Sequence, residues 1–556
     1  MAVLNQQSTF LKLWKHLSKA KWNLLTLFIL MSTINYMGNR EFIDILSNYL
    51  IIFFFIFVIA RLFIINYLLA FLTSLLISLE LTFLLVSGER VSVTVLSASI
   101  DTDLFIASGT TMPFFIKAIP SIIIFSFLFI MSMSEIKKLK FKIYLLLIPC
   151  LAFITIFSVY SKLDKYQNYL VEWGGYNKTD YSSKKIYFQK LFYHRDYPLI
   201  LGDGFYIATE FYELYQAKKL INHNVWPEGI VFNKDKASPL KVIIIVGESS
   251  TVVHYSLYGY PYQTTPRMDE YYKNKEITKL DNIISGAALT RDSLRFVLSF
   301  ATPLDEMRFF NYKNMVDMAK LANYQTIWIS STYESGPYTG YIATIEQSSD
   351  KYFNNRNNEI LKDRDDLSIP KVLATEYKKG EKQFFILHML GSHIPYESRY
   401  DKEDEHLVTT AKATNYDRSI HHTDRMLDKI IKFVKQQNEN TLVFYFPDHG
   451  DLVTKGHGLV FGNSIEQYNI PIIIYQNKNT INMSKLIDKY RTKDGIYNIN
   501  NNHYVITEIL GFDINVTTVK QAKREGEYIY HPNGKVYKYT EVLTKGFEKS
   551  NVYNNL

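Results

Sequence analysis

The sequence predicts a two-part molecule: an α-helical membrane domain of five transmembrane helices, then an α/β sandwich-type domain built on a mainly parallel sheet. Three observations carry this. The first 160 residues are strongly apolar and the remaining 396 are not. The second part alternates buried-strand patterns with amphipathic ones, which is how a parallel sheet with helices on both faces reads. Several of those strands end in Glu, Asp or His, and open α/β sheets bind their ligands beyond the carboxyl ends of the strands. At 556 residues the chain exceeds what one core organises.

Five apolar segments, at about 22–38, 45–60, 62–87, 113–134 and 141–160, are bounded by charges and approach the roughly 20 residues that cross about 30 Å of hydrocarbon. The first is followed by four more and by no small-residue cleavage site, so it reads as a span and not as a signal peptide. Lys12, Lys15, Lys19, Lys21, Arg61, Lys137, Lys138, Lys140 and Lys142 fall in loops on one side, against Arg40 and Arg90 on the other. That bias places the N-terminus in the cytoplasm, and five crossings deliver everything after residue 160 to the far side. Glu80, the acidic residue within a span, is a candidate for touching a lipid substrate. Residues 161–238 form an aromatic-rich connector. Within it, Phe205 to Tyr215 followed by Lys218 and Lys219 suits an interfacial helix as well as a helix packed on the soluble domain.

Charge and cysteine usage narrow the classes. The first 160 residues carry 12 basic and 7 acidic side chains and the rest carry 50 and 47, so most of the formal +8 belongs to the membrane part. With no RNA-binding, zinc-finger or basic-helix pattern, nucleic acid is not an expected partner. The single cysteine, Cys150, lies in an apolar run, so no internal disulfide is available.

The domain at 239–556 opens on Val242 to Gly247, a mostly β-branched run that reads as a strand buried on both faces and ends in Glu248-Ser249-Ser250. Further strands are predicted at 325–330, 383–390, 441–446 and 470–475, with helices near 313–323 and 414–436. Taken alone, Glu248 suits a helix cap as well as a ligand. Its company decides. His388 and Gly391-Ser392-His393 close the strand at 383–390, and Asp448-His449-Gly450-Asp451 closes another. Gly456-His457-Gly458 adds an imidazole on a glycine-flanked loop. Several His beside Asp and Glu at neighbouring strand ends form a mixed nitrogen and oxygen set that suits Zn²⁺. Zinc activates a hydroxyl for attack on phosphorus, and the candidates are Ser249, Ser250, Thr251 and Thr290. Thr290 is favoured because a turn after Ile283-Ile284 opens a helix there, with amide hydrogens aimed at an anion.

Gly247-Glu248-Ser249, Tyr255-Ser256-Leu257-Tyr258-Gly259-Tyr260, Thr264-Thr265-Pro266, Gly391-Ser392-His393 and Asp448-His449-Gly450 together resemble the phosphoethanolamine transferases of Gram-negative bacteria, members of the alkaline phosphatase superfamily. The resemblance runs over the whole chain, including five spans before a periplasmic catalytic domain. It implies an alkaline phosphatase-like, sulfatase-like fold, with Glu248, Thr290, Asp448 and His449 as ligands of one zinc. It makes Thr290 the nucleophile, since the family's threonine is followed three positions later by Ser, as Thr290 is by Ser293. His393 and His457 match histidines that hold substrate phosphate or a second zinc, and Ser249, His388 and Ser293 are left in support. Three departures stand out. No cysteine lies near Ser285, no Lys lies between Ser331 and Gly340, and Leu294-Arg295 replaces the family's Pro after the nucleophile.

The resemblance implies transfer of phosphoethanolamine from phosphatidylethanolamine to lipopolysaccharide, on a core sugar or lipid A, by a monomer in the bacterial inner membrane with its N-terminus cytoplasmic. Competing expectations are a phosphoglycerol transferase or phosphatase of the same superfamily, and a catalytically silent membrane scaffold. A sulfatase activity is disfavoured, because its Cys/Ser-x-Pro-x-Arg pattern is absent around Thr290.

Overall fold

The computed structural model describes Val225 and residues 227–553 apart from 332–340, 411–412, 454–463, 479–480 and 532–534, together with helix α1 (Leu104–Ile136) and scattered helical positions between 26 and 82. The chain divides into two compact units, Met1–Val93 with Thr111–Phe211, and Thr94–Thr110 with Tyr212–Leu556. Four of the five expected spans, Glu80 and the expected interfacial helix lie wholly or largely outside the described residues. The fourth span falls inside α1.

On α1 the side chains are described over 116–132 and at 134, and among the described residues no helix is long and apolar enough to cross a membrane. Ile116, Ile119, Ile123 and Ile124 stand exposed. Ser78 and Thr82 return their hydroxyls to carbonyls one turn earlier, and the Ser74 and Ser126 hydroxyls meet at 2.5 Å. Such bonds satisfy polar groups between apolar helices without breaking them.

The C-terminal unit is built on a seven-stranded sheet. Its strands are β1 (Lys241–Gly247), β2 (Ile277–Leu280), β3 (Gln325–Ser330), β4 (Lys351–Phe353), β5 (Gln383–His388), β6 (Thr441–Pro447) and β7 (Ile472–Asn477), in the order β2-β7-β6-β1-β5-β3-β4. Strands β6, β1, β5, β3 and β4 run parallel, whereas β7 pairs antiparallel with both β6 and β2. The sheet is therefore mixed, which corrects the mainly parallel sheet expected from the sequence. The physical reason lies between β6 and β7. The connection from Pro447 to Ile472 returns the chain to the sheet at the end it left, so β7 runs against β6. Its apolar run looks like that of any strand buried on both faces, and strand direction leaves no trace in such a run.

Alternation along the strands splits the core in two. Val242, Ile244 and Val246 join Trp328, Phe384, Ile386 and Phe444 on one face. Ile243 and Ile245 join Ile327, Phe385, Leu387, Val443 and Tyr445 on the other. Helix α2 (Pro266–Lys273) and helix α5 (Ile369–Glu376) cover the second face with α6 (Thr414–Gln437). Helix α3 (Thr290–Val297) and α4 (Met315–Leu321) cover the first. The result is three layers with both sheet faces buried.

Helix α6 also carries buried charge. Asp424 accepts the Arg267 and Met268 amides at 3.0 and 2.9 Å, closing the first turn of α2 from outside, and burial lifts its carboxyl to about 7. Beside it, Asp404 takes His421 Nδ1 at 2.6 Å and both His422 Nδ1 and Arg425 at 2.7 Å, while His422 Nε2 meets Asp365 at 2.9 Å. Burial works against the imidazolium, but hydrogen bonds and charge from Asp365 and Asp404 prevail and raise His422 to about 9. A pKa raised on folding stabilises fully below the unfolded value near 6.5, and that contribution fades as pH climbs through about 9. Melting temperature followed from about pH 6 to 10 is expected to fall across this window, and to fall much less in His422→Gln. Equal slopes for the two proteins would contradict the assignment.

Candidate metal centre

The register of the sheet builds the centre. Gly247 and Pro447 are partners on adjacent parallel strands, so Glu248 and Asp448 leave the sheet side by side, one residue past the same rung. The Asp448 amide then donates to Gly247 O at 3.0 Å. Gly247 has to be small here, because a Cβ would lie 2.7 Å from the Tyr445 hydroxyl, which bonds Tyr255 at 2.9 Å and through it Ser250 at 2.8 Å. Ser249 adopts the left-handed region at φ 52°, a conformation that needs support in a non-glycine residue. Support comes from its amide donating to Asp448 Oδ1 at 3.0 Å, its hydroxyl to Glu248 Oε1 at 2.6 Å, and Tyr416 donating to its carbonyl at 2.8 Å.

Thr290 is the first residue of α3. Its hydroxyl donates to Glu248 Oε2 at 2.9 Å and lies 3.3 Å from His449 Nε2. Three residues on, Ser293 donates to Asp448 O at 2.6 Å, tying the helix to the β6 end of the site. His449 Nδ1 donates to Gly450 O at 2.7 Å, so in the neutral ring Nε2 carries the lone pair. That nitrogen stands 3.6 Å from Glu248 Oε1 and 3.4 Å from Asp448 Oδ2.

These groups fit a divalent cation. Ligand atoms of Glu248, Asp448 and His449 all lie within 4.8 Å of one another, and all three residues are buried. Asp448 Oδ2 is buried without a hydrogen-bond donor. Burial first, then the charge of Asp448, pushes the Glu248 carboxyl well above its usual range. Two buried carboxylates facing an imidazole lone pair repel one another, and a cation between them reverses the sign. The oxygen-rich set with one imidazole suits zinc. Asp401, Asp404 and His422 make a second close group, but Arg425 bonds both carboxylates, at 2.6 and 2.7 Å, and already supplies the positive charge.

Other expected residues fall around this set. His393 ends a turn in which Ser392 N donates to Glu248 O at 2.9 Å, and its Nδ1 meets Ile394 O at 2.6 Å. Gly391, at φ 49°, presses against Glu248 so closely that a Cβ would sit 2.7 Å from the Glu248 nitrogen. His388 is a sheet residue, level with Val246 and Ser330 and edge-on to Trp328, and neither it nor His393 joins the group of close ligand atoms. His457 lies outside the described residues.

Three contributors were not foreseen. Asp366 accepts the Leu390 and Gly391 amides at 2.9 and 2.8 Å and so clamps the His393 turn. Tyr416 braces Ser249 from α6. Arg399 donates to His393 O at 2.9 Å. Of these, Arg399 had a sequence signal: it stands in the run that begins at Gly391-Ser392-His393.

The Sulfatase family model matches residues 241–511. Phosphoethanolamine transferase EptC of Escherichia coli K12 is 26% identical over 290 residues, covering 48% of this chain and 50% of EptC. EptA of Helicobacter pylori is 29% identical over 262 residues, covering 43% of this chain and 48% of EptA. The chain thus spans about half the length of these curated relatives. Among solved structures, the integral membrane lipooligosaccharide phosphoethanolamine transferase A of Neisseria meningitidis aligns over 86% of this chain and 90% of its own, with a TM-score of 0.59 at 16% identity, a likeness of fold. Residues 241–511, with the three-layer fold and the strand-end site they build, form a domain of the sulfatase family, of the alkaline phosphatase-like kind.

Proposed function

We propose that this chain transfers phosphoethanolamine from phosphatidylethanolamine to lipopolysaccharide through a phosphoethanolamine adduct on Thr290. The observation that carries it is the Thr290 hydroxyl, set at the start of a helix and held 2.9 Å from Glu248 Oε2 and 3.3 Å from His449 Nε2. The similarity to relatives named phosphoethanolamine transferases, 26% identity over 290 residues and 29% over 262, supports the same reading. Glu248, Asp448, His449 and Thr290 Oγ1 would hold one zinc, which supplies Lewis-acid chemistry when bound.

In the first half-reaction, the Thr290 hydroxyl gives up its proton to solvent and its oxygen bonds to phosphorus. The bond from phosphorus to the diacylglycerol oxygen breaks, and that oxygen takes up a proton. The first amides of α3 face the anionic oxygens. In the second half, an acceptor hydroxyl that gives up its proton, or an acceptor phosphate oxygen, attacks, the bond from phosphorus to Thr290 breaks, and Thr290 recovers a proton. His393 or His457 would stabilise charge on the phosphoryl oxygens or protonate the leaving oxygen. The expected bounds, a membrane domain to residue 160, a connector to 238 and a periplasmic catalytic domain beyond, suit a diacyl donor that stays in the bilayer. The isoleucines exposed on α1 support that reading.

Incubation with phosphatidylethanolamine and no acceptor is expected to raise the intact protein mass by one ethanolamine phosphate, mapped to Thr290. An adduct carrying glycerol phosphate would identify a phosphoglycerol transferase, and an unchanged mass would refute the adduct. Lipopolysaccharide from cells with and without the protein then locates the acceptor on core sugar or lipid A.

A further inference from the structure

Arg399 is 6% exposed and sits beside the metal centre without bonding its carboxylates. Its Nε donates to the His393 carbonyl at 2.9 Å, which fixes the guanidinium to the turn packed on Glu248. Its Nη2 is buried with no hydrogen-bond partner. Asp366 and Glu248 are the carboxylates whose charges act on it most strongly. Both have other business: Asp366 accepts the Leu390 and Gly391 amides, and Glu248 accepts the Ser249 and Thr290 hydroxyls.

A buried guanidinium normally forms a forked pair with a carboxylate, since leaving a donor unmade is expensive. Arg308 in this same domain does so, donating from both terminal nitrogens to the two oxygens of Glu525 at 2.8 Å. Arg399 is instead anchored through one nitrogen to a neutral carbonyl, so its charge is not spent in a pair and acts through a low-dielectric interior on what lies nearby. With a divalent cation in place, Glu248, Asp448 and an ionised Thr290 hydroxyl bring three negative charges against two positive. An incoming phosphodiester adds another negative charge. One further cation returns the centre to neutrality before the diester arrives. The loop after β3 brings none, as Ser331 to Gly340 contains neither Lys nor Arg.

We propose that Arg399 is the counter-cation of this centre, a positioning residue whose charge lets an anionic phosphoryl group approach Thr290. It acts through the His393 turn and through the field at Glu248. The inference takes the phosphoryl-transfer reading as its frame, but its test uses only zinc and inorganic phosphate.

The discriminating property is that a nearby positive charge opposes cation binding and favours anion binding. Full-length wild type, Arg399→Gln and Arg399→Lys are compared in detergent, with zinc affinity read by chelator competition and phosphate affinity by calorimetry at saturating zinc. Arg399→Gln is expected to bind zinc at least as tightly as wild type and phosphate about tenfold more weakly, with Arg399→Lys close to wild type in both. A residue that merely packs the turn would weaken both ligands together on mutation. That result, unchanged phosphate affinity in Arg399→Gln, failure of Lys to restore it, or wild type that does not bind phosphate would each overturn the proposal. If Arg399→Gln does not fold, Arg399→Met provides the same neutral comparison with the aliphatic stem retained. A wild type that binds zinc and phosphate yet leaves no adduct on Thr290 sinks the transfer reading while leaving this inference intact.

Discussion

Thr290→Ala is expected to abolish adduct formation and to lower the transfer rate by roughly 10³-fold or more, because the variant keeps the site and loses the atom that attacks. The fold should survive. Thr290 occupies the first position of α3, its side chain caps nothing there, and alanine is the better helix former. What disappears besides the nucleophile is one of the four groups that would hold zinc and, without metal, one hydrogen bond to Glu248, about 1 kcal/mol. Thr290→Ser retains a hydroxyl on a less restricted side chain and should recover much of the rate. Loss of activity in Ala with recovery in Ser, at equal melting temperature, separates chemistry from folding. An alanine variant that still accumulates adduct would move the nucleophile to another residue, with Ser249 and Ser250 next in line. Both are already spent structurally, Ser249 on Glu248 and Ser250 on Tyr255.

Much of the sheet is legible in the sequence because the central strands are apolar on both faces. The run from Val242 to Gly247 falls within β1, that at 325–330 coincides with β3, and the helix expected near 414–436 is α6, Thr414–Gln437. Strands β2 and β4 escape notice for the opposite reason. Ile-Thr-Lys-Leu and Lys-Tyr-Phe are short, part-polar edge pieces whose strand character comes from the neighbour they pair with. Helices α2, α5 and Tyr341–Ser348, of eight residues each, are too short to establish a period. Direction is invisible in β7 because Ile472 to Asn477 pairs equally well either way up.

The site divides along similar lines. Glu248 and Asp448 stand out as acids at the ends of apolar strands, but their adjacency rests on the Gly247 and Pro447 rung, a pairing across 200 residues. Asp366 and Arg399 do not stand out in the sequence, because charged residues outside the long apolar runs look solvated, and only tertiary contact reveals that both are buried. Metal chemistry could be inferred from residue types, whereas the electrostatic surroundings of the centre could not.

Those surroundings make Asp448→Asn a test in which two effects carry opposite signs. Without metal, Asp448 and Glu248 are like charges in a buried space, and Asp448 is the largest cause after burial of the raised Glu248 carboxyl. Asparagine keeps the Oδ1 acceptor that serves the Ser249 and His449 amides at 3.0 and 2.7 Å, and it places a neutral amide where Oδ2 has no donor. The metal-free variant should therefore be more stable than metal-free wild type, by about 1–2 kcal/mol from relief of repulsion alone. Zinc should then stabilise wild type and leave the variant nearly unmoved, since removing one of two buried carboxylates takes away both a ligand and the charge that draws the cation in. The melting curves are expected to cross, with the variant higher in chelator and wild type higher in zinc. A variant less stable in both conditions would mean that Asp448 is held by a partner other than a cation, and the metal centre would have to be abandoned. A variant that keeps the full zinc shift would instead place the ion elsewhere. The crossing, unlike a loss of activity, follows only if the two carboxylates that leave the sheet together at Gly247 and Pro447 are kept there for a cation.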